Sequence, residues 1–173
     1  MVEFQTMRAF PRTVAALGLA LLGALALGSL AGCKPSAESQ AADREEIHSF
    51  LAEYLPKLAE AYRTGDTDPL ALYAAAKERA AIEKRVLDLA KTGEVLAPKL
   101  QSFQIEDVTV WNVVNAYVTT VEVWDIRTYA AGSDNVLRQA LGQRNRVKYQ
   151  LRRDDGRWRV FWRQLEKTYD QSQ

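Results

Sequence analysis

Histidine and cysteine occur once each in this chain of 173 residues, and methionine only twice, at positions 1 and 7. A single thiol excludes an intrachain disulfide framework and a cysteine-rich metal site. One imidazole among scattered carboxylates offers no metal-ligand spacing, so no metal is expected. With both methionines near the start, the rest of the chain has no soft, adaptable Met surface for promiscuous binding. Charge of one sign is lacking too: 23 Lys plus Arg stand against 22 Asp plus Glu, a net charge of +1 that gives no global pull toward nucleic acid. What remains, 47% hydrophobic and 26% charged, is the composition of one ordinary globular domain.

The first third is foreign to the rest. Arg8 and Arg12 precede an apolar run from Val14 to Leu30 that ends in Ser29-Leu30-Ala31-Gly32-Cys33. A basic start, an apolar middle and small residues before a break mark a targeting segment rather than fold, here residues 1–32. Met7, directly before Arg8, makes a better start than Met1, because Glu3 is out of place in a basic leader. Leu30-Ala31-Gly32-Cys33 resembles the lipobox of bacterial lipoproteins. The resemblance implies recognition of Leu30, Ala31 and Gly32 by a signal peptidase and cleavage before a diacylglyceryl-modified Cys33. That covalent lipid is the only prosthetic group expected, with no cofactor. Two or three acyl chains, at about 0.8 kcal/mol per buried methylene, make a durable anchor. Two blander readings stand beside it, an incidental cysteine and an uncleaved single span, the run being close to the minimum spanning length.

Residues 34–42 (KPSAESQAA) are small, polar and aperiodic, and read with Cys33 as a flexible tether of at most about 30 Å. The expected location is the extracytoplasmic side of a bacterial membrane. By resemblance to enterobacterial sorting rules, Lys34 after the Cys favours the outer membrane of a diderm host.

From residue 43 to about 170 a helical half precedes a stranded half. Ile47, Phe50, Leu51, Tyr54, Leu55, Leu58, Ala61 and Tyr62 recur at helical spacing, with Asp43 as the expected cap and Gly65 as the stop. Pro56 is expected to kink this helix mildly. Asp68-Pro69 opens a segment Leu70 to Ala76, and Glu78 to Thr92 forms a further helix with Ile82, Val86, Leu89 and Ala90 on one face. From Leu100 the period becomes two. Strands are expected over 103–112, 116–128, 143–153 and 157–165, with a longer 129–142 connection in which Asn135 to Leu141 could carry a helical turn. If Asp155-Gly156 is a type I′ turn, Arg153 faces Trp158, Leu151 faces Val160, Tyr149 faces Trp162 and Lys148 faces Arg163. One face of that hairpin then carries Val147, Tyr149, Leu151, Trp158, Val160 and Trp162. The other carries Arg146, Lys148, Arg152, Arg159 and Arg163 with Phe161 among them.

Helices followed by an antiparallel meander with one apolar face predict an α+β fold, N-terminal helices packed on a curved four-stranded antiparallel sheet. The order of these segments, ending in Gly156-Arg157-Trp158-Arg159-Val160, resembles the nuclear transport factor 2-like superfamily of cone-shaped domains. Ala116-Tyr117-Val118 and Glu122-Val123-Trp124, with the Gly-x-Trp-x-Val hairpin, are similar to the branch found in chloroplast-division and bacterial envelope proteins. That superfamily holds enzymes and binding modules alike, and its pocket lies between helices and sheet.

An isomerase-like enzyme would need an acid or base in that pocket, from among Asp107, Glu122, Asp125, Tyr117 and His48. His48 falls on the polar side of the first helix. Glu122 and Asp125 have opposite strand parity and cannot act as a pair. Glu122 has an alternative place on a solvated sheet face, paired across strands with Arg144, Arg146, Lys148 or Arg152. Tyr54, Tyr62, Tyr73, Trp111, Trp124 and Trp162 either line a ligand cavity or fill the core, the commoner fate. From Arg138 to Arg163 nine basic residues stand against two acidic ones, while the rest of the chain after residue 32 has 12 basic and 19 acidic. Arg146, Lys148, Arg152, Arg159 and Arg163 thus form a candidate interaction face for an envelope protein, an anionic polymer or lipid headgroups, or else a solvated face neutralised by the acidic helices. A homodimer through the open sheet, burying Phe161 and its flanking arginines, is a third reading. The expected function is a membrane-anchored binding or scaffolding module without catalysis; the alternative is a small-molecule-binding or isomerase-like enzyme.

Overall fold

A computed structural model describes residues 37–169. The leader, Cys33 and the first residues of the expected tether lie outside them. Two helices and a short 3-10 helix pack on one four-stranded antiparallel sheet, the α+β arrangement expected.

Helix α1 spans Ala37–Thr64 and buries Ile47, Leu51, Tyr54, Leu55, Leu58 and Ala61, the three-and-four spacing of one apolar stripe. Gly65 ends it at φ +80°, its N–H donating to Ala61 O at 2.9 Å. The helix starts earlier than expected. Asp43 lies inside it rather than capping it, because the preceding Ala-Glu-Ser-Gln-Ala-Ala holds no breaker and continues the helix backward. Asp43 instead faces Arg153 at 3.7 Å. The Asp68-Pro69 segment makes only a 3-10 helix, Asp68–Leu72, which buries Leu70. Helix α2, Ala76–Lys91, is separate from it and buries Glu78, Ile82 and Leu89.

Strands β1 (Glu94–Trp111), β2 (Asn115–Ala130), β3 (Val136–Asp154) and β4 (Arg157–Tyr169) are hydrogen-bonded in chain order. They are longer than the sequence reading gave. β1 begins before residue 100 because Pro98 sits on an edge strand, where its missing N–H costs no ladder bond. The expected helical turn at 135–141 is a strand: Val136 pairs with Tyr129 and Arg138 with Thr128. The core lies between α1 and the sheet's inner face, where Val118, Tyr149, Leu151 and Val160 are fully buried.

The Asp155-Gly156 turn is as expected, both residues at positive φ, with Arg153 opposite Trp158 and Leu151 opposite Val160. One residue later the expected register fails. Gln150 pairs with Trp162 rather than Phe161, so Phe161 is the extra residue of a β-bulge. Beyond it every side chain changes face: Arg163 comes opposite Tyr149, on the inner face, and Trp162 opposite Gln150, on the outer one.

Candidate functional site

Between the helices and the inner face of the sheet lies a cavity of about 350 Å³. Its walls come from α1 (Leu58, Tyr62), α2 (Glu78, Ala81, Ile82, Arg85), β1 (Leu96, Pro98), β2 (Glu122, Trp124, Ile126), β3 (Asn145) and β4 (Arg163). Most of this lining is apolar; of the polar groups, Asn145 accepts from Gln143 and Thr168 at 3.0 Å each, Arg85 stands apart, and the carboxylates belong to two networks.

The first is built on Glu122, only 3% exposed. Thr120 Oγ1 and Tyr149 Oη donate to its Oε1 at 2.8 and 2.5 Å, and Trp124 Nε1 donates to its Oε2 at 2.8 Å. Thr120, Glu122 and Trp124 alternate along β2 and so share its inner face, while Tyr149 reaches in from β3. A carboxylate holding three neutral donors has its charge met by hydrogen bonds without an ion pair. Burial pushes the Tyr149 phenol well above its ordinary range, and the Glu122 charge beside it adds to the rise.

The second network is an ion pair. Arg163 Nε donates to Glu78 Oε1 at 2.7 Å and Arg163 Nη2 to Tyr62 Oη at 2.7 Å. Burial raises the Glu78 carboxyl, opposed by Arg163. Burial disfavours the Arg163 charge as well, but the surrounding Tyr54, Tyr62 and Tyr149 oxygens and Glu78 outweigh it, so the guanidinium stays charged. Beneath both networks the Tyr54 hydroxyl is fully buried, and burial raises its pKa.

Of the six aromatic candidates, Tyr62 and Trp124 line the cavity. Tyr54 packs in the core below, edge-on to Tyr149. Tyr73 lies elsewhere, bonded to Glu53, and Trp111 stacks on the exposed Tyr117 at 4.5 Å. The bulge at Phe161 takes Trp162 to a shallow outer groove with Lys77, Tyr117 and Gln150.

The same bulge removes Arg163 from the basic face. The others stay outside: Arg146 pairs with Glu106 and Glu166 at 2.7 and 3.2 Å, and Arg152 with Asp154 at 3.4 Å. Lys148 lies 5.2 Å from the Tyr117 ring centre, and Arg159 faces Arg152 across the hairpin. Two of these cations are therefore already met by carboxylates of this chain.

Among the acid and base candidates only Glu122 reaches the cavity. Its expected cross-strand ion pair on a solvated face is not formed, because β2 parity turns it inward, opposite Asn145. Asp125 points the other way, accepting from Gly142 N and Gln101 Nε2 at 2.8 Å each. His48 stacks on Phe103 at 4.8 Å, and Asp107 and Tyr117 are exposed. Among the described residues no three His, Cys, Asp or Glu come together in a set that could hold a metal ion.

The sequence reading missed Glu78, Arg85 and Asn145. Glu78 stands four residues before Ile82, on the apolar face of α2, and a carboxylate within an apolar stripe was its available signal. Asn145 likewise precedes Val147, Tyr149 and Leu151 on the buried parity of β3.

No family model matches the chain, and no curated protein matches it. Among solved structures, the chain is similar to the intermembrane space region of the chloroplast protein ARC6, with 13% identity, a TM-score of 0.60, and 76% of this chain and 98% of that one covered. It is also similar to a domain of unknown function with a cystatin-like fold from Nostoc punctiforme, with 16% identity, a TM-score of 0.40, and 79% and 82% covered. A third is an NTF2-like protein with a cystatin-like fold from Novosphingobium aromaticivorans, with 20% identity, a TM-score of 0.41, and 74% and 83% covered. At 13% identity the likeness to the ARC6 region is one of fold alone.

Proposed function

We propose that this chain is a lipid-anchored protein of the bacterial envelope whose α+β domain binds a small ligand in the cavity without transforming it. The anchor rests on the Leu30-Ala31-Gly32-Cys33 motif. The binding role rests on one observation: both buried acids of the cavity are already held, Glu122 by Thr120, Trp124 and Tyr149, and Glu78 by Arg163. A carboxylate fixed by three donors is a shaped, charged wall rather than a mobile base, and catalysis by proton transfer asks for a group within reach of a substrate proton.

One observation favours the runner-up, an isomerase-like enzyme: Glu122, a buried carboxylate, lines the cavity and is bonded at 2.5 Å to the phenol of Tyr149 behind it. The two readings separate in a ligand-observed NMR screen of small molecules against the wild type and Ala81→Phe, which fills the cavity from α2. Hits lost in Ala81→Phe and recovered unchanged support binding. Conversion of a hit, abolished by Glu122→Gln, would establish the enzyme instead, and hits indifferent to Ala81→Phe would remove the cavity from the account. For the anchor, intact mass and membrane partition are compared with Cys33→Ala. An acylated Cys33 terminus lost in the variant supports it; an unmodified, uncleaved chain rejects it.

A further inference from the structure

The four α2 residues that line the cavity are graded. Glu78 is buried and closed by its pair with Arg163, the exposed Ala81 and the buried Ile82 follow as the apolar middle, and Arg85 is exposed at the far end. Seven residues along a helix correspond to about 10 Å. From Glu78 to Arg85 the cavity therefore runs from a buried polar end to a solvent-facing cation through an apolar stretch, faced by Leu96, Pro98 and Ile126 from the sheet. Arg85 makes no ion pair among the described residues, unlike Arg146, Arg152, Arg153 and Arg163.

On the reading that the cavity is a binding site, we propose that its ligand is a monocarboxylate with an apolar tail, the carboxylate at the mouth on Arg85 and the tail running inward. Charge decides the orientation. At the buried end two carboxylates, Glu78 and Glu122, outnumber the one cation, Arg163, whose Nε and Nη2 are taken by Glu78 and Tyr62, so a second anion is disfavoured there, and the carboxylates' own hydrogen-bonding capacity is largely taken by this chain's donors. A cationic head must either sit beside Arg85 or cross the apolar stretch without water to reach Glu122 and Glu78, at a large desolvation cost. An anion at the mouth meets the uncommitted guanidinium, which can bind a carboxylate through two N–H groups, and keeps its remaining hydration. The tail replaces water against aliphatic walls, at about 25 cal/mol for each Å² covered. The cavity volume of about 350 Å³ falls at the small end of ligand pockets, which fits a medium-length chain or a single ring rather than a long lipid.

Octanoate, 1-octanol and octylamine share the tail and differ in the head. Titration calorimetry of the full chain in nanodiscs, with the heats of empty nanodiscs subtracted, ranks them on the wild type and on Arg85→Gln. Arg85 is exposed, so its replacement leaves the core intact. The expected result is octanoate binding tightest and octylamine weakest, with Arg85→Gln weakening octanoate by about fivefold and leaving octanol unchanged. Octanol matching octanoate, or octylamine exceeding both, would overturn the proposal while leaving the cavity as a site. Failure of all three would overturn it also, and the binding role of the cavity is then decided separately by the Ala81→Phe comparison.

Discussion

Tyr149 Oη donates to Glu122 Oε1 at 2.5 Å across the β2–β3 pair, joining two buried polar side chains on the inner face of the sheet. Removing the donor leaves a buried carboxylate with two partners instead of three. Tyr149→Phe, nearly isosteric, is expected to lower unfolding stability by about 1–3 kcal/mol. Urea denaturation measures it, and an unchanged midpoint would show that Glu122 does not depend on this phenol.

Alkaline pH acts on the same region. Tyr54 and Tyr149 are fully buried, and burial raises both phenols above their unfolded value near 10. A folded-state pKa above the unfolded one gives stability that is complete below pH 10 and lost as the pH climbs toward the folded value. Each phenol should contribute a loss of about 1.4 kcal/mol per pH unit above that point. Denaturation between pH 8 and 11.5 should show the decline, and Tyr54→Phe should make it shallower. A slope untouched by that variant would place the alkaline sensitivity elsewhere.

Arg163 and Glu78 should behave as a buried pair. Arg163→Met leaves the Glu78 carboxylate, 6% exposed, without its cation and should cost about 3 kcal/mol or more. Arg163→Met with Glu78→Met removes both charges and should recover most of that loss. A double-mutant cycle with no coupling energy would contradict the pairing.

Val113 sits at the tip of the β1–β2 hairpin at φ +61°, 70% exposed, after Asn112 at φ +53°. A β-branched residue in the left-handed region is strained, whereas Asn-Gly suits this turn. Val113→Gly is expected to raise stability by about 1 kcal/mol, read as a higher melting temperature. A fall would mean that the valine tip has a packing role of its own.

The architecture was legible because its signals are local: the α1 stripe, Gly65, and Asp155-Gly156 with its alternating flanks each act within a few residues. The site was legible only in part. Arg163 continued the outward alternation of Arg159 and Phe161 and was read as surface, yet Phe161 adds one residue without a partner and exchanges the faces. A bulge at a bulky aromatic leaves no compositional mark, unlike one at glycine. Glu122 misled for the opposite reason: its parity was readable, but the basic neighbours on β3 made a solvated ion pair the simpler account. Its real partners are a threonine, a tryptophan and a tyrosine, residue types that composition alone assigns to packing.

The strand order β1-β2-β3-β4 carries a kinetic consequence. Each strand closes on its predecessor through a turn of a few residues, so the sheet can zip from local contacts at little loop-closure entropy. The distant contacts are those that bring helices to sheet: Arg163 to Glu78, and Ala74 to Val160 as a parallel bridge. The first of these closes one wall of the cavity. A sheet that zips first would leave the cavity to form last: a chain paused with its hairpins made has a sheet but no cavity.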